Sequence, residues 1–170
     1  MNLYELARER YSVRKFSDKA VEEEKLNKIL EIGRIAPTAH NNQPQRIYVL
    51  KSEDSLTKIR AITRCAFNAP VVLLICAETK EGWVNPFNGR NAAEMDASIV
   101  TTQMMLQVTE LGLGSTWVCW FDTEKTKETF SLPEGIEPYC LLPLGYPAEN
   151  SVPAAMHESR KPIEETVVML

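Results

Sequence analysis

The stretch 92–111 most constrains how this chain folds. It reads as the longest helix and carries Ile99, Val100, Met104, Met105, Leu106, Val108 and Leu111, so it is apolar nearly all round. A helix of that kind must be buried on most sides. The chain has 170 residues, which suits one domain over residues 1–170 with a real core. A domain this small cannot cover such a helix alone, which predicts that another subunit does.

A second run, 70–77, holds Val71, Val72, Leu73, Leu74, Ile75 and Cys76 and is apolar on both faces. That pattern predicts a strand buried in the centre of a sheet. Other segments alternate around it. Residues 2–10 form a short helix. The next helix covers 21–36: Leu26, Ile29, Leu30 and Gly33 share one face, Glu22, Glu23 and Glu24 favour its first turn, and Pro37 ends it. A polar loop follows at 38–44, a strand at 46–50, a helix over 52–63 and a loop at 81–91. Gly112-Leu113-Gly114 ends the long helix. Strands at 115–121 and 139–146 flank a short helix at 123–130, and the tail from 147 is irregular. The order predicts an α+β fold with a central mixed sheet and packed helices.

The composition, 44% hydrophobic and 25% charged, is that of a soluble globular protein. A formal net charge of -4 argues against nucleic acid as a general partner, so any anion site must be local. Met1-Asn2-Leu3-Tyr4-Glu5 lacks the basic and apolar regions of a signal peptide, and no apolar run approaches membrane-spanning length. Cys65, Cys76, Cys119 and Cys140 are scattered and form no CxxC pair, which predicts reduced thiols and a cytoplasmic setting. Two histidines, His40 and His157, exclude a histidine-rich metal site.

Several features that resemble chemistry are better explained by structure. Gly112-Leu113-Gly114 follows a helix, precedes a strand and lacks a third glycine, so it is a helix C-cap and not a dinucleotide fingerprint. Cys76 and Cys119 lie among Val, Leu and Trp and are expected to be core thiols. The acidic pairs belong to solvated contexts, and no acid–base dyad emerges.

Three polar segments remain. In Arg10-Tyr11-Ser12-Val13-Arg14-Lys15-Phe16, an extended backbone places Arg10, Ser12 and Arg14 in one row. Such a row can hold a phosphate and a polar ring edge, because the guanidinium fork suits phosphate geometry. Thr38-Ala39-His40-Asn41-Asn42-Gln43-Pro44 offers small residues and amides that can read a heteroaromatic edge. A simple Asn- and Pro-rich turn needs no ligand, and remains the alternative there. Arg160-Lys161 is the third segment.

Together these segments resemble the FMN-dependent nitroreductase family. The resemblance rests on Arg-x-Ser-x-Arg-x-Phe at 10–16, Ala-Pro-Thr-Ala-x-Asn-x-Gln-Pro at 36–44, and Ala69-Pro70-Val71-Val72. Leu111-Gly112-Leu113-Gly114-Ser115-Thr116-Trp117 and Arg160-Lys161-Pro162 complete it, in the family's order. It implies a three-layer α+β sandwich with a mainly antiparallel central sheet, in a homodimer with two FMN molecules at the interface. Arg10, Ser12 and Arg160 match positions that hold the phosphate and ribityl chain, beside Tyr11 and Lys161. Arg14 matches the basic position near flavin N1 and the C2 carbonyl. Pro37, Thr38, Ala39 and Asn41, with Gln43 nearby, match the segment that packs the ring from the partner chain. Trp117, Val118 and Cys119 match the strand facing the N5 edge.

The resemblance further implies hydride transfer from NADH or NADPH to an electron-poor small-molecule acceptor in a ping-pong cycle. Nitroaromatics and quinones are the family's usual acceptors. No side chain need act as acid or base, because the cofactor carries the chemistry. A specialised flavin enzyme (reductive dehalogenation or C–N oxidation) and a non-catalytic flavin-binding protein are the competing readings. The chain departs from the family in its short lid, where Trp83, Phe87, Asn88 and Arg90 remain, and in Gln45 where an aromatic is usual. Arg64 or Asn68 is a candidate for a further contact to the ring.

Overall fold

A computed structural model describes residues 2–170. Its axis is β2 (Val71–Glu78), whose first seven residues are all buried. Alternate side chains of a strand leave by opposite faces. Val71, Leu73 and Ile75 therefore enter one core, while Val72, Leu74 and Cys76 enter another. The two-faced apolar run thus becomes the central strand expected of it. β1 (Gln45–Leu50) pairs on one side of β2 and β4 (Ile136–Gly145) on the other, with β3 (Gly114–Ser115) outside β4. The order is β1-β2-β4-β3 and every pairing is antiparallel. The mixed sheet expected from element order is corrected to this extent. Among the described residues, the parallel pairing recorded is a single bridge between Ser12 and Ser115.

The first core lies under α2 (Glu23–Arg34) and α4 (Ala93–Glu110), which contribute Leu26, Ile29, Val100, Met104 and Val108. The second lies under α3 (Glu53–Ile62), through Leu56 and Ile59, and α5 (Thr123–Phe130), through Phe130. A short α1 (Leu3–Glu9), closed by a capping box between Asn2 and Glu5, rests on α4. Helices, sheet and helices form the three layers of an α+β sandwich.

The sheet also departs from the sequence reading at two places. The strand expected over 115–121 shrinks to Gly114–Ser115 and one bridge from Val118 to Leu141. Thr116 donates its N–H to the Pro143 carbonyl at 3.2 Å, but a proline has no N–H to return, so the ladder breaks there. β4 begins at Ile136 and not 139, across a register shift that accommodates Pro138 opposite Cys76. α2 stops at Arg34, short of Pro37, because the residue before a proline is pushed out of the helical region. α4 buries one side only: Met95 and Ile99 each remain 41% exposed.

The stretch after α1 joins the sheet edge. Val13 donates its N–H to the Ser115 carbonyl at 3.0 Å, Ser17 to that of Tyr146 at 2.9 Å, and Phe16 bridges Pro147. Val13 is buried directly over Gly114, where a Cβ would lie 2.8 Å from the Val13 Cβ. Gly114→Ala therefore forces the stretch off the sheet. It is expected to lower stability by roughly 1–3 kcal/mol, read as a reduced urea midpoint with an unchanged slope.

Candidate functional site

With Val13 directed into the core, Ser12 and Arg14 leave by the opposite face. Arg10, Ser12 and Arg14 then line one cavity of about 190 Å³, and His157 and Arg160 from the tail close it. The tail is tied down here: the Tyr11 hydroxyl donates to the Ser151 carbonyl (3.3 Å) and Oγ (3.2 Å), and the Tyr11 ring meets His157 edge-on at 6.2 Å. Arg160 Nη1 donates to the carbonyls of His157 (2.6 Å) and Ser159 (2.7 Å), which fixes the guanidinium against its own backbone. Arg10, Arg14 and Arg160 all line the cavity and no carboxylate does, although Glu158 lies next to it, 4.0 Å from His157 Nε2. On a chain of net charge -4, this is a local positive potential suited to a compact anion. Lys161 points elsewhere and pairs with Glu165 at 3.5 Å. His157 was not singled out from sequence; a lone tail histidine carries no spacing signal.

The 37–45 segment stands at the other end of the sheet. Gln45 pairs with Ala77 at the far end of β2, while Ser12 reaches Val71 through Ser115 and Leu144. The separation along β2 is about 20 Å. The loop is tightly wound. His40, Asn41 and Gln43 have φ of 53°, 55° and 53°, the left-handed region that non-glycine residues enter at a cost of roughly 1–3 kcal/mol each. Its anchors are visible. Thr38 Oγ1 accepts from the Gln43 N–H (3.1 Å), Asp96 Oδ1 from the Ala39 N–H (2.9 Å), and Asn42 donates to the Glu81 carbonyl (2.9 Å). His40 stacks on Trp83 with ring centroids 5.5 Å apart and planes 12° from parallel. Pro37, Asn41, Asn42 and Gln43 remain exposed, and Gln43 Nε2 donates back to the Asn41 carbonyl at 3.2 Å. Asp96 was also missed from sequence, because nothing sets it apart from Glu94 and Glu110 on the same helix until the loop is placed against it.

Of the third set, Val118 is buried, Trp117 half-buried and Cys119 exposed. This corrects the placing of Cys119 in the core. Val118 enters the second core, while Trp117, on the opposite face, packs at the edge of the first and Cys119 is left exposed. Trp117 Nε1 donates to Cys119 Sγ at 3.1 Å. Cys76 is a core thiol as expected and Cys140 is a second one, with burial pushing each up to about 12. Neither is a nucleophile at neutral pH. Arg64 and Asn68 are exposed, beside the left-handed turn at Phe67 and Asn68.

The Nitroreductase family model matches residues 7–68 and 62–146. A Methanothermobacter thermautotrophicus protein, whose name reads NADH dehydrogenase/NAD(P)H nitroreductase, is 31% identical over 157 residues, 88% of this chain and 80% of that protein. A nitroreductase family protein from Clostridium difficile 630 has the same fold at a TM-score of 0.93 and 42% identity, covering 99% of this chain and 98% of that one. An Exiguobacterium sibiricum protein, 18% identical with a TM-score of 0.85 over 100% of this chain and 98% of its own, was solved in complex with FMN. The chain belongs to the nitroreductase family.

Proposed function

We propose that residues 1–170 form a single FMN-binding domain and act as a homodimeric, NAD(P)H-dependent flavin oxidoreductase that reduces electron-poor acceptors, nitroaromatics and quinones among them. The observation that carries this reading is the cavity where Arg10, Ser12, Arg14 and Arg160 converge without a carboxylate. Its donor set fits a phosphate, and the buried Ser115 Oγ beside Ser12 has no hydrogen-bond partner among the described residues. The FMN held by the Exiguobacterium sibiricum relative supports the same choice of ligand.

Arg10, Ser12 and Arg160 would hold the phosphate and ribityl chain, with Tyr11 pinning the tail that carries Arg160 and Lys161 following it. Arg14 would place positive charge at the pyrimidine edge of the ring, an electrostatic contribution that needs no proton movement. Pro37, Thr38, Ala39, Asn41 and Gln43 would wall the ring, and the Trp117, Val118 and Cys119 strand would face its central edge. FMN, when bound, takes hydride from NADH or NADPH and delivers it to the acceptor in a second half-cycle.

A second copy of the chain is needed to assemble these groups, because the basic row and the 37–45 segment lie at opposite ends of β2. The chain also exposes apolar surface that a second copy would cover: Met95 and Ile99 on α4, and Ile163, Val167, Val168 and Leu170 in the tail. Among the described residues no helix is long and apolar enough to cross a membrane. Free cysteines fit a reducing, cytoplasmic setting, and the net charge of -4 fits no nucleic acid partner.

Three outcomes test this. Purified yellow protein, made anaerobic, is expected to bleach on adding NADH or NADPH and to recover its colour when a quinone or nitroaromatic is added. Absence of bleaching with both donors contradicts the oxidoreductase reading. Arg10→Ala and Arg160→Ala each remove a charge-assisted bond of about 1.5–3 kcal/mol. Each is expected to weaken FMN at least tenfold by fluorescence titration, and wild-type affinity in both rejects the phosphate assignment. Sedimentation at micromolar concentration is expected to give a dimer; a monomer at that concentration rejects the shared site.

A further inference from the structure

We propose that Asp96 is the positioning residue of the 38–43 loop, a buried carboxylate that locks the loop through the Ala39 amide so that its side chains meet the flavin ring in one fixed arrangement. This rests on the reading that the loop walls the ring. Asp96 sits in the first turn of α4 and is 2% exposed. Its Oδ1 accepts the Ala39 N–H at 2.9 Å, across 57 residues of sequence. Its Oδ2 is buried with no partner among the described residues.

A charged group is rarely buried without a compensating task. The N-terminal end of α4, which has no side-chain cap at Ala92, supplies a favourable dipole. The remaining compensation is the loop. Three non-glycine residues in the left-handed region persist only where the surroundings over-determine them. The Thr38 hydroxyl holds the loop to itself, and Asn42 holds it to the Glu81 carbonyl near the lid. Asp96 is the anchor that ties it to the rigid core, because α4 packs against α2 and the sheet. Losing that anchor lowers the fraction of molecules whose loop is competent for the ring, and apparent affinity falls by the same fraction.

Asparagine keeps an acceptor at this position, whereas alanine does not. In chain prepared without flavin, Asp96→Ala is expected to speed hydrogen exchange at the Ala39 amide at least tenfold, and Asp96→Asn to leave it near wild type. In FMN titrations, Asp96→Ala is expected to weaken binding about tenfold and to move the bound visible spectrum toward that of free FMN. Arg10→Ala, which acts on the phosphate, is expected to weaken binding without that spectral change. Asp96→Asn is expected to restore both affinity and spectrum. Wild-type exchange, affinity and spectrum in Asp96→Ala overturn the proposal, as does Asp96→Asn failing as Asp96→Ala does. Should alanine not fold, Asp96→Leu fills similar space without an acceptor and carries the same outcomes. A wild-type chain that binds no FMN overturns the functional reading instead, while the exchange measurement still decides the latch.

Discussion

Burial of β2 on both faces is the constraint from which the rest of the fold follows. Seven consecutive buried residues need cover above and below, and each large side chain among them contributes about 1.5–3 kcal/mol by leaving water. One layer of helices cannot supply that cover. α2 and α4 take one face, α3 and α5 the other, and the sheet divides the two cores, with β1 and β4 also sending side chains into both. The antiparallel neighbours β1 and β4 then place chain segments at defined ends of the sheet. The basic row lies beside the start of β2 and the 38–43 loop beside its end.

That placement explains how an acidic chain keeps a local cluster of arginines. Net charge acts over the whole surface and is screened within about 8–10 Å. The cavity at Arg10, Arg14 and Arg160 is governed by what lies within hydrogen-bonding reach, and no carboxylate lines it. The guanidiniums come from two segments about 150 residues apart in sequence, and they meet because Phe16 bridges Pro147 and Tyr11 bonds Ser151. Sheet-edge pairing of the N-terminal stretch is therefore also the act that builds the electrostatic site. The buried valine beneath it couples the two: Val13 can reach the core only if its neighbours Ser12 and Arg14 face the cavity.

Periodicity and punctuation made the larger elements legible. The two-faced run at 70–77 announced a central strand, and the glycine pair after α4 announced its end. The row of Arg10, Ser12 and Arg14 could be read because a period of two needs no knowledge of partners. Partner-dependent features were hidden. The break of the strand after Ser115 depends on Pro143 lying opposite Thr116, 27 positions away, whose effect appears only once register is known. Cys119 looked like core because its neighbours are apolar, yet one pleat step from buried Val118 it faces outward. Asp96 went unnoticed because the loop it bonds is 57 positions upstream.

Unsatisfied polar atoms point to the same places as the geometry. Three buried side-chain atoms lack a hydrogen-bond partner among the described residues: Gln45 Oε1, Asp96 Oδ2 and Ser115 Oγ. Buried polar groups are normally paired, so each exception calls for a cause. None lies in the interior of β2 or between α3 and α5. Ser115 sits beside Ser12 at the basic row, Gln45 directly follows the 38–44 segment, and Asp96 anchors that segment. Where the family commonly has an aromatic, the glutamine at 45 leaves an acceptor that a ring would not. The two segments at opposite ends of β2 are thus the two beside which side-chain hydrogen bonding is incomplete. Among the described residues, buried side-chain polar atoms find partners everywhere but beside these two ends of β2.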